Sequence, residues 1–191
     1  MTGIDIFNEL IAHEIEGVML HCDLANMFDF MGLHGFKRQH EFRALEEFAE
    51  MRGMNRYAIN HLGVMPSGGN VGRTKEIVPN TWKGAKRTDV TESDRKSRVK
   101  DLFAKWNEWE RETKDLYQKR FKDLVNLGMI ACANKVNELI VAADKELKLA
   151  EREFILYSSV GWEMYFIASK QDELHEEYEK KTDERFRIQF C

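Results

Sequence analysis

Both prolines of the chain and five of its twelve glycines fall within one stretch, residues 63–90. A connection this long without its own secondary structure is unusual inside a compact domain. On either side of it, apolar residues recur at the helical period. We predict four long helices, at about 4–31, 36–62, 93–127 and 129–157. Two helical hairpins whose middle helices run parallel need such a connection, because the chain must return along the whole bundle.

The composition and the turn residues agree with a bundle of helices. Hydrophobic residues make up 43% and charged residues 32% of the chain, as in soluble globular domains. Gly32 and Gly35 in the sequence MGLHGF, and later Gly128, allow tight reversals between paired helices. The sequence therefore predicts one all-α domain, residues 1–191. It comprises a four-helix bundle with a long crossover between helices 2 and 3, and an additional C-terminal helical segment at about 162–185.

Charge, cysteine content and hydropathy argue against several classes of protein. A net charge of −4 is not that of a general nucleic-acid-binding protein, which would be basic. The three cysteines, Cys22, Cys132 and Cys191, form no Cys-x-x-Cys pair, so neither a disulfide framework nor a zinc site is predicted. The first residues do not resemble a secretory signal, and the apolar stretches are too short to span a bilayer. We predict a reduced, cytoplasmic location and no membrane partner.

The first helix carries ionisable groups on its apolar face, at Glu14 and His21. Pairing the first two helices about Gly32–Gly35, and the last two about Gly128, sets one register for the bundle. In that register one layer holds four titratable side chains: His21, Glu47, Glu110 and Glu146. Glu14 lies about two turns away, roughly 10 Å along the axis, and Glu50 lies between. Such groups are costly inside a bundle unless they are paired or bind a metal.

Two long hairpins joined by one long crossover resemble the ferritin-like superfamily over residues 4–157. The resemblance implies a metal-binding protein with a di-iron site inside the bundle, iron oxidation or storage, and a homo-oligomer. If the chain is an enzyme, the resemblance implies an iron-dependent oxidoreductase of the ferroxidase kind. The predicted metal ligands are the inward carboxylates and one imidazole: Glu14, His21, Glu47, Glu50, Glu110 and Glu146. Glutamates supply hard oxygen ligands, and histidine adds a nitrogen ligand.

The sequence departs from the superfamily at its most typical motif. Ferritin-like di-metal centres carry Glu-x-x-His on a helix, and this chain has no such sequence. The nearest is Asp172-x-x-His175, in the polar terminal segment, where a solvated helix face is predicted. Helix 2 has Glu47-x-x-Glu50 instead. The order of ligands in mini-ferritins, though not their spacing, is matched by His21, His34, Glu46 and Glu50.

The inward residues also have structural interpretations, because buried polar groups usually find local partners. Glu14 would hydrogen-bond Asn55, and Glu110 would pair with Arg120 or with the crossover. His21 would be a histidine of the core, without a ligand.

Other histidines of the first hairpin are predicted to be structural or exposed. His34 and His40 flank the first turn and are interpreted as caps of helix ends. His13 falls on the opposite, solvent-facing side of the first helix. No ligand role is predicted for His13.

Two functions compete with iron binding. The first is a non-enzymatic helical bundle that binds a protein partner or builds an assembly, and the absence of Glu-x-x-His favours it. The second is an anion- or nucleic-acid-binding bundle that acts through the crossover, whose basic residues are Arg73, Lys75, Lys83, Lys86 and Arg87. The crossover has no Walker pattern, and a solvated loop is the simpler interpretation.

Overall fold

The computed structural model describes residues 1–67 and 76–190, with side chains to residue 184. This part of the chain contains helices, turns and loops but no strand, so the all-α prediction is confirmed. The helices are α1 (Gly3–Phe30), α2 (His34–Tyr57), α3 (Glu92–Asn126), α4 (Ile130–Ser159), α5 (Met164–Ala168) and α6 (Gln171–Phe190). A π-helical turn, Ala58–Leu62, extends α2. With that turn included, the four long helices begin and end within two residues of the predicted positions.

The helix ends follow from local sequence signals. Thr2 caps α1 and Thr91 caps α3, and in both cases an aspartate three residues later completes a capping box. Gly32 and Gly128 take positive φ angles of 78° and 71° at the two hairpin turns, as predicted for glycines there. Gly35 instead lies inside α2, where a Cβ would collide with the backbone of Gln171. Its glycine allows α6 to approach α2 closely.

Side-chain contacts define the direction of each helix. Glu9 near the start of α1 pairs with Arg120 near the end of α3, and His21 further along α1 lies beside Glu110. α1 is therefore antiparallel to α3. Since α1 is also antiparallel to α2, through the tight turn between them, α2 and α3 run parallel. The crossover between them must therefore return along the bundle, as the sequence predicted.

The described end of the crossover adheres to the bundle through apolar side chains. Ile77 is buried in the core, and Val78 and Trp82 pack at the edge of the same cluster. Arg98 of α3 donates a hydrogen bond to the carbonyl of Ile77. These contacts attach the described end of the crossover to the bundle.

The basic character of the crossover is partly offset by local contacts. Lys83 forms an ion pair with Glu76, and Arg87 donates a hydrogen bond to the carbonyl of Asp29. Arg73 and Lys75 lie outside the described residues. These contacts agree with a loop that binds the bundle.

The C-terminal segment forms two helices where the sequence predicted one. Gly161 and Trp162 both have positive φ angles, and the chain reverses there before α5. The side chain of Gln171 accepts a hydrogen bond from the backbone N–H of Gly35, and the ring of Tyr178 packs on Phe42. One face of α6 is therefore occupied by α2 of the same chain.

Ionisable side chains separate the core into two apolar clusters. One cluster surrounds Phe28 and Phe103, and the other surrounds Phe7 and Tyr117. Between them lies a layer of buried polar residues, which includes Glu14, His21, Glu47, Glu110 and Thr113. Buried carboxylates in this position are costly without a compensating partner. This layer is therefore the candidate functional site.

None of the described helices combines the length and apolar character that a membrane span requires.

Candidate metal centre

Three helices each contribute one potential ligand to a single buried point. His21 comes from α1, Glu47 from α2 and Glu110 from α3. The Nε2 atom of His21 lies 3.6 Å from Oε1 of Glu47 and 3.7 Å from Oε1 of Glu110. One ligand atom from each residue lies within 4.8 Å of the others. Metal–ligand bonds of about 2.1 Å hold ligand atoms at most about 4.2 Å apart, so small movements would close this triad on a metal.

Neighbouring residues determine where the two carboxylates lie. The indole N–H of Trp106, one turn before Glu110, donates a 2.7 Å hydrogen bond to Oε1 of Glu110. Gly17 lies one turn before His21, and a Cβ there would be only 2.7 Å from Oε2 of Glu47. The absence of a side chain at Gly17 therefore makes room for Glu47.

His40 holds the other side of the His21 imidazole. The two Nδ1 atoms are 3.0 Å apart, so one of them donates a hydrogen bond to the other. The His40 ring stacks on Phe28 and meets Trp106 edge-on. Burial, followed by the charges of His21 and Arg43, lowers the pKa of His40 well below its usual value. His40 is therefore neutral and lies in the core, and the prediction that it caps a helix was wrong.

The electrostatics of His21 are dominated by burial and by the two carboxylates. Burial by itself lowers the pKa of His21, but the interactions with Glu110 and Glu47 outweigh it, and the pKa is raised. Within the described chain, His21 Nε2 and Glu110 Oε2 make no hydrogen bond. The triad thus combines two carboxylates with an imidazole that is held at ion-pair distance.

The predicted structural partners of the inward carboxylates are not the observed ones. Neither oxygen of Glu14, which is fully buried, has a hydrogen-bond partner among the described residues. Asn55 donates instead to the carbonyl of Met51. Arg120 pairs with Glu9 and with Asp123 of its own helix. The interpretations that paired Glu14 with Asn55, and Glu110 with Arg120, were therefore wrong.

The group of ligand atoms within 4.8 Å does not include Glu50 or Glu146. Oε1 of Glu146 accepts a 3.0 Å hydrogen bond from Arg43. Glu50 is partly buried on α2. Of the six predicted ligands, the structure brings together His21, Glu47 and Glu110.

The residues that match the order of mini-ferritin ligands do not form a cluster in the described structure. The same is true of the Asp-x-x-His sequence of α6. His34 is exposed at the first turn, where its Nδ1 lies 3.0 Å from Asp29. Glu46 pairs with Arg43. His175 is exposed beside Glu179, as predicted for a solvated helix face.

His13 was predicted to be exposed, and that prediction was wrong. Its Nε2 lies 2.7 Å from the hydroxyl oxygen of Thr113, and its ring stacks on Trp109 with a centroid distance of 4.2 Å. His13, Gly17 and His21 are spaced by four residues, so they lie along one side of α1. That spacing was the signal in the sequence that could have identified His13 as a contact to α3.

Comparisons with known proteins identify the fold through structure alone. No family model matches the sequence, and no curated protein matches it. An open-pore ferritin from the archaeon Archaeoglobus fulgidus is similar, with a TM-score of 0.73 and 17% identity over 91% of this chain and 95% of that one. A structure described as an iron-soaked PmFTN variant is similar with a TM-score of 0.71 and 12% identity, over 88% of this chain and 96% of that one. The chain therefore has the ferritin-like fold, as the sequence predicted.

Proposed function

We propose that this chain binds iron at His21, Glu47 and Glu110, and that it oxidises or stores iron in the manner of a ferritin-like protein. The observation that carries the proposal is the convergence of three ligand atoms, from three helices, within 4.8 Å in the bundle interior. The ferritin-like fold and the iron-soaked structure of a similar protein support the choice of metal.

The charge of the triad suits one divalent cation. Ligands bind a metal in their deprotonated forms, so two carboxylates and an imidazole would together bring two negative charges, which a single Fe²⁺ balances. Carboxylate oxygens and an imidazole nitrogen are ligands that iron accepts. A metal would also supply partners for His21 Nε2 and Glu110 Oε2, which lack hydrogen bonds within the described residues. Binding therefore offsets the cost of burying these polar atoms.

The residues around the triad orient its side chains for binding a cation. His21 keeps its Nδ1 proton in the hydrogen bond to His40, which directs Nε2 towards the carboxylates. The Nε2 proton must leave when a metal binds. The indole N–H of Trp106 donates to Oε1 of Glu110, and Oε2 of that carboxylate makes no hydrogen bond with the described residues. Oε2 is therefore available as a metal ligand. Ferrous iron held there would be the substrate, and it would give one electron to an oxidant such as dioxygen.

Glu14 is the candidate for an additional ligand. It is fully buried, and its oxygens have no hydrogen-bond partner in the described part of the chain. That Glu14 ligates the ion held by the triad stays a prediction. Glu50 and Glu146 are not assigned to the ligand set of the triad.

The experiment is metal analysis followed by ferrous iron oxidation. Protein purified without chelator would be assayed for bound metal, and Fe²⁺ would then be added under air. We expect bound iron and accelerated oxidation, and both should be lost in Glu110→Gln. The matched control is Glu112→Gln, an exposed position on the same helix. Equal iron binding by the wild type and Glu110→Gln would contradict the proposal.

Assembly of several copies is a second proposal, and the outer face of α4 supports it. Ile130, Val141 and Ile155 lie on the side of α4 away from the core, with exposed fractions of 53%, 52% and 67%. Apolar side chains that recur along one exposed face are typical of a subunit contact. Light scattering should give a multiple of the chain mass, which Ile155→Lys should reduce. Lys119→Glu on α3 is the control, and a monomeric wild type would contradict the proposal.

A further inference from the structure

A buried guanidinium lies within the electrostatic range of Glu110, one of the three residues of the candidate metal centre. The side chain of Arg43, on α2, is only 11% exposed. Its Nη1 donates to Oε2 of Glu46 at 2.6 Å and to Oε1 of Glu146 on α4 at 3.0 Å. A buried cation is tolerated when carboxylates pair with it. Arg43 therefore provides a fixed positive charge between α2 and α4.

Position 43 places this charge close to the triad. Residues 40, 43 and 47 are spaced by three and four along α2, so His40, Arg43 and Glu47 lie on one side of that helix. Glu146 is within the electrostatic range of the triad. Burial raises its pKa well above the usual value, the charge of Glu110 raises it further, and Arg43 opposes both effects. Without Arg43, Glu146 would be a buried carboxylate available to a metal.

We propose that Arg43 takes the place of a second metal ion, so that this chain binds one divalent cation in the bundle. Paired metal ions in proteins sit about 3.5–4 Å apart and share carboxylates between them. Here the carboxylate of Glu146 is already bonded to a permanent cation. The inference rests on the proposed function, since it assigns the number of metal ions to the same site.

The charges of the two neighbouring groups balance separately. Glu47 and Glu110 are neutralised by one divalent ion at the triad. Glu146 is neutralised by Arg43, with Glu46 as a second, partly exposed partner. A second divalent ion near Glu146 would be repelled by the guanidinium in a medium of low dielectric constant. The geometry thus favours one metal per chain.

The test is calorimetric titration of metal-free protein with Co²⁺, with the visible absorption of Co²⁺ reporting its coordination. We expect one Co²⁺ per chain in the wild type and two in Arg43→Gln. Arg43→Lys is the matched control, because it keeps the charge, and it should bind one. The double variant Arg43→Gln/Glu146→Gln should return to one, because the second metal needs the Glu146 carboxylate.

A separate variant keeps the inference testable if Arg43→Gln does not fold. Glu146→Gln leaves Arg43 in place, and we expect one Co²⁺ with an affinity within threefold of the wild type. A loss of more than tenfold would show that Glu146 is a ligand despite Arg43, and would overturn the inference. Two Co²⁺ in the wild type, or one in folded Arg43→Gln, would overturn it as well. No bound Co²⁺ in any variant would overturn the proposed function itself.

Discussion

Two groups of buried ionisable residues lie within the bundle, and they differ in how their charges are satisfied. In the triad, His21 Nε2 lies 3.6–3.7 Å from the carboxylates of Glu47 and Glu110, beyond hydrogen-bond distance. Between α2 and α4, Arg43 donates hydrogen bonds of 2.6–3.0 Å to two carboxylates. The second group contains its own permanent cation. The first group depends on a proton or a metal.

This difference shows that burial alone does not identify a functional site. The carboxylates of the triad are 0–7% exposed, and those that pair with Arg43 are 16–21% exposed. In the triad, the Nε2 of His21 and the Oε2 of Glu110 make no hydrogen bond with the described residues. We call Arg43, Glu46 and Glu146 the paired group. Removing one of these side chains should reduce stability, whereas removing a side chain of the triad should reduce metal binding.

The largest expected effect is the loss of the buried cation in the paired group. Arg43→Met leaves the Glu146 carboxylate buried and unpaired, and breaking such a pair costs about 3–5 kcal/mol. We expect the free energy of unfolding to fall by that amount in metal-free buffer at pH 8, measured by urea denaturation. Arg43→Lys, which keeps the charge, should lose less. Equal losses for both variants would show that packing of the long side chain, and not its charge, stabilises this group.

The next effect is a dependence of stability on pH that arises from Glu153, also between α2 and α4. Burial raises its pKa to about 7, although a hydrogen bond from Gln39 opposes the rise. Between pH 4.5 and 7 the folded chain retains a proton that the unfolded chain has released. Stability should therefore fall as pH rises through this window, by at most about 3 kcal/mol.

The measurement for Glu153 is the free energy of unfolding of Glu153→Gln at several pH values. This variant should be more stable than the wild type at pH 8, and its stability should change less between pH 5 and 8. Glu151→Gln, a partly exposed neighbour that pairs with Arg111, is the control. An unchanged pH profile in Glu153→Gln would contradict the assignment of this pH dependence to Glu153.

A smaller effect concerns the support of the triad by His40. Removing the acceptor for His21 Nδ1 with His40→Leu should lower metal affinity by about 10–100-fold, as for other residues that orient a metal ligand. His40→Asn places an oxygen near the position of Nδ1, so it should retain most of the affinity. The comparison is made by Co²⁺ titration. If both variants bound metal equally, His40 would not orient His21 through this hydrogen bond.

The smallest expected change in stability is at Gly17. In Gly17→Ala the new Cβ would lie 2.7 Å from Oε2 of Glu47 and would displace that carboxylate. Crowding should lower the free energy of unfolding by about 1–3 kcal/mol. The better helix propensity of alanine offsets about 1 kcal/mol of that loss. Metal affinity should nevertheless fall about tenfold, which corresponds to about 1.4 kcal/mol.

Gly53→Ala is a matched control for Gly17, because it also lies within a long helix but has open space around it. It should stabilise the chain by about 0.5–1 kcal/mol and leave metal affinity unchanged. Gly17→Ala and Gly53→Ala would be compared by urea denaturation and Co²⁺ titration. Unchanged affinity in Gly17→Ala would contradict the role assigned to Glu47.

The fold was predictable from the sequence because its signals extend over many residues. Helical periodicity persists through four long segments, and both prolines lie in the single crossover. The convergence of His21, Glu47 and Glu110 followed from pairing the helices about their glycine turns. The pairing about Gly32–Gly35 sets Phe48 opposite His21, but Phe48 is 38% exposed and Glu47 lies beside His21 instead.

The remaining features of the site depend on helix rotation, which the sequence does not determine. A change of one residue in register turns a side chain by about 100° around the helix axis. Because of that uncertainty, the sequence did not indicate that His40 faces the core beside His21. His40 was interpreted as a helix cap because it is close to the first turn. Arg43 is a long side chain that can extend to solvent or into the bundle. Its direction became apparent only from its contacts with Glu46 and Glu146.

The most direct test of the central claim is a crystal structure of the chain soaked in Fe²⁺ without oxygen, with an anomalous difference map at the iron edge. The account predicts a peak between His21 Nε2 and the carboxylates of Glu47 and Glu110, at bond lengths of about 2.0–2.2 Å. A triad without a peak, in crystals whose surface carboxylates bind iron, would contradict it. The triad would then be a structural ion pair inside a ferritin-like bundle.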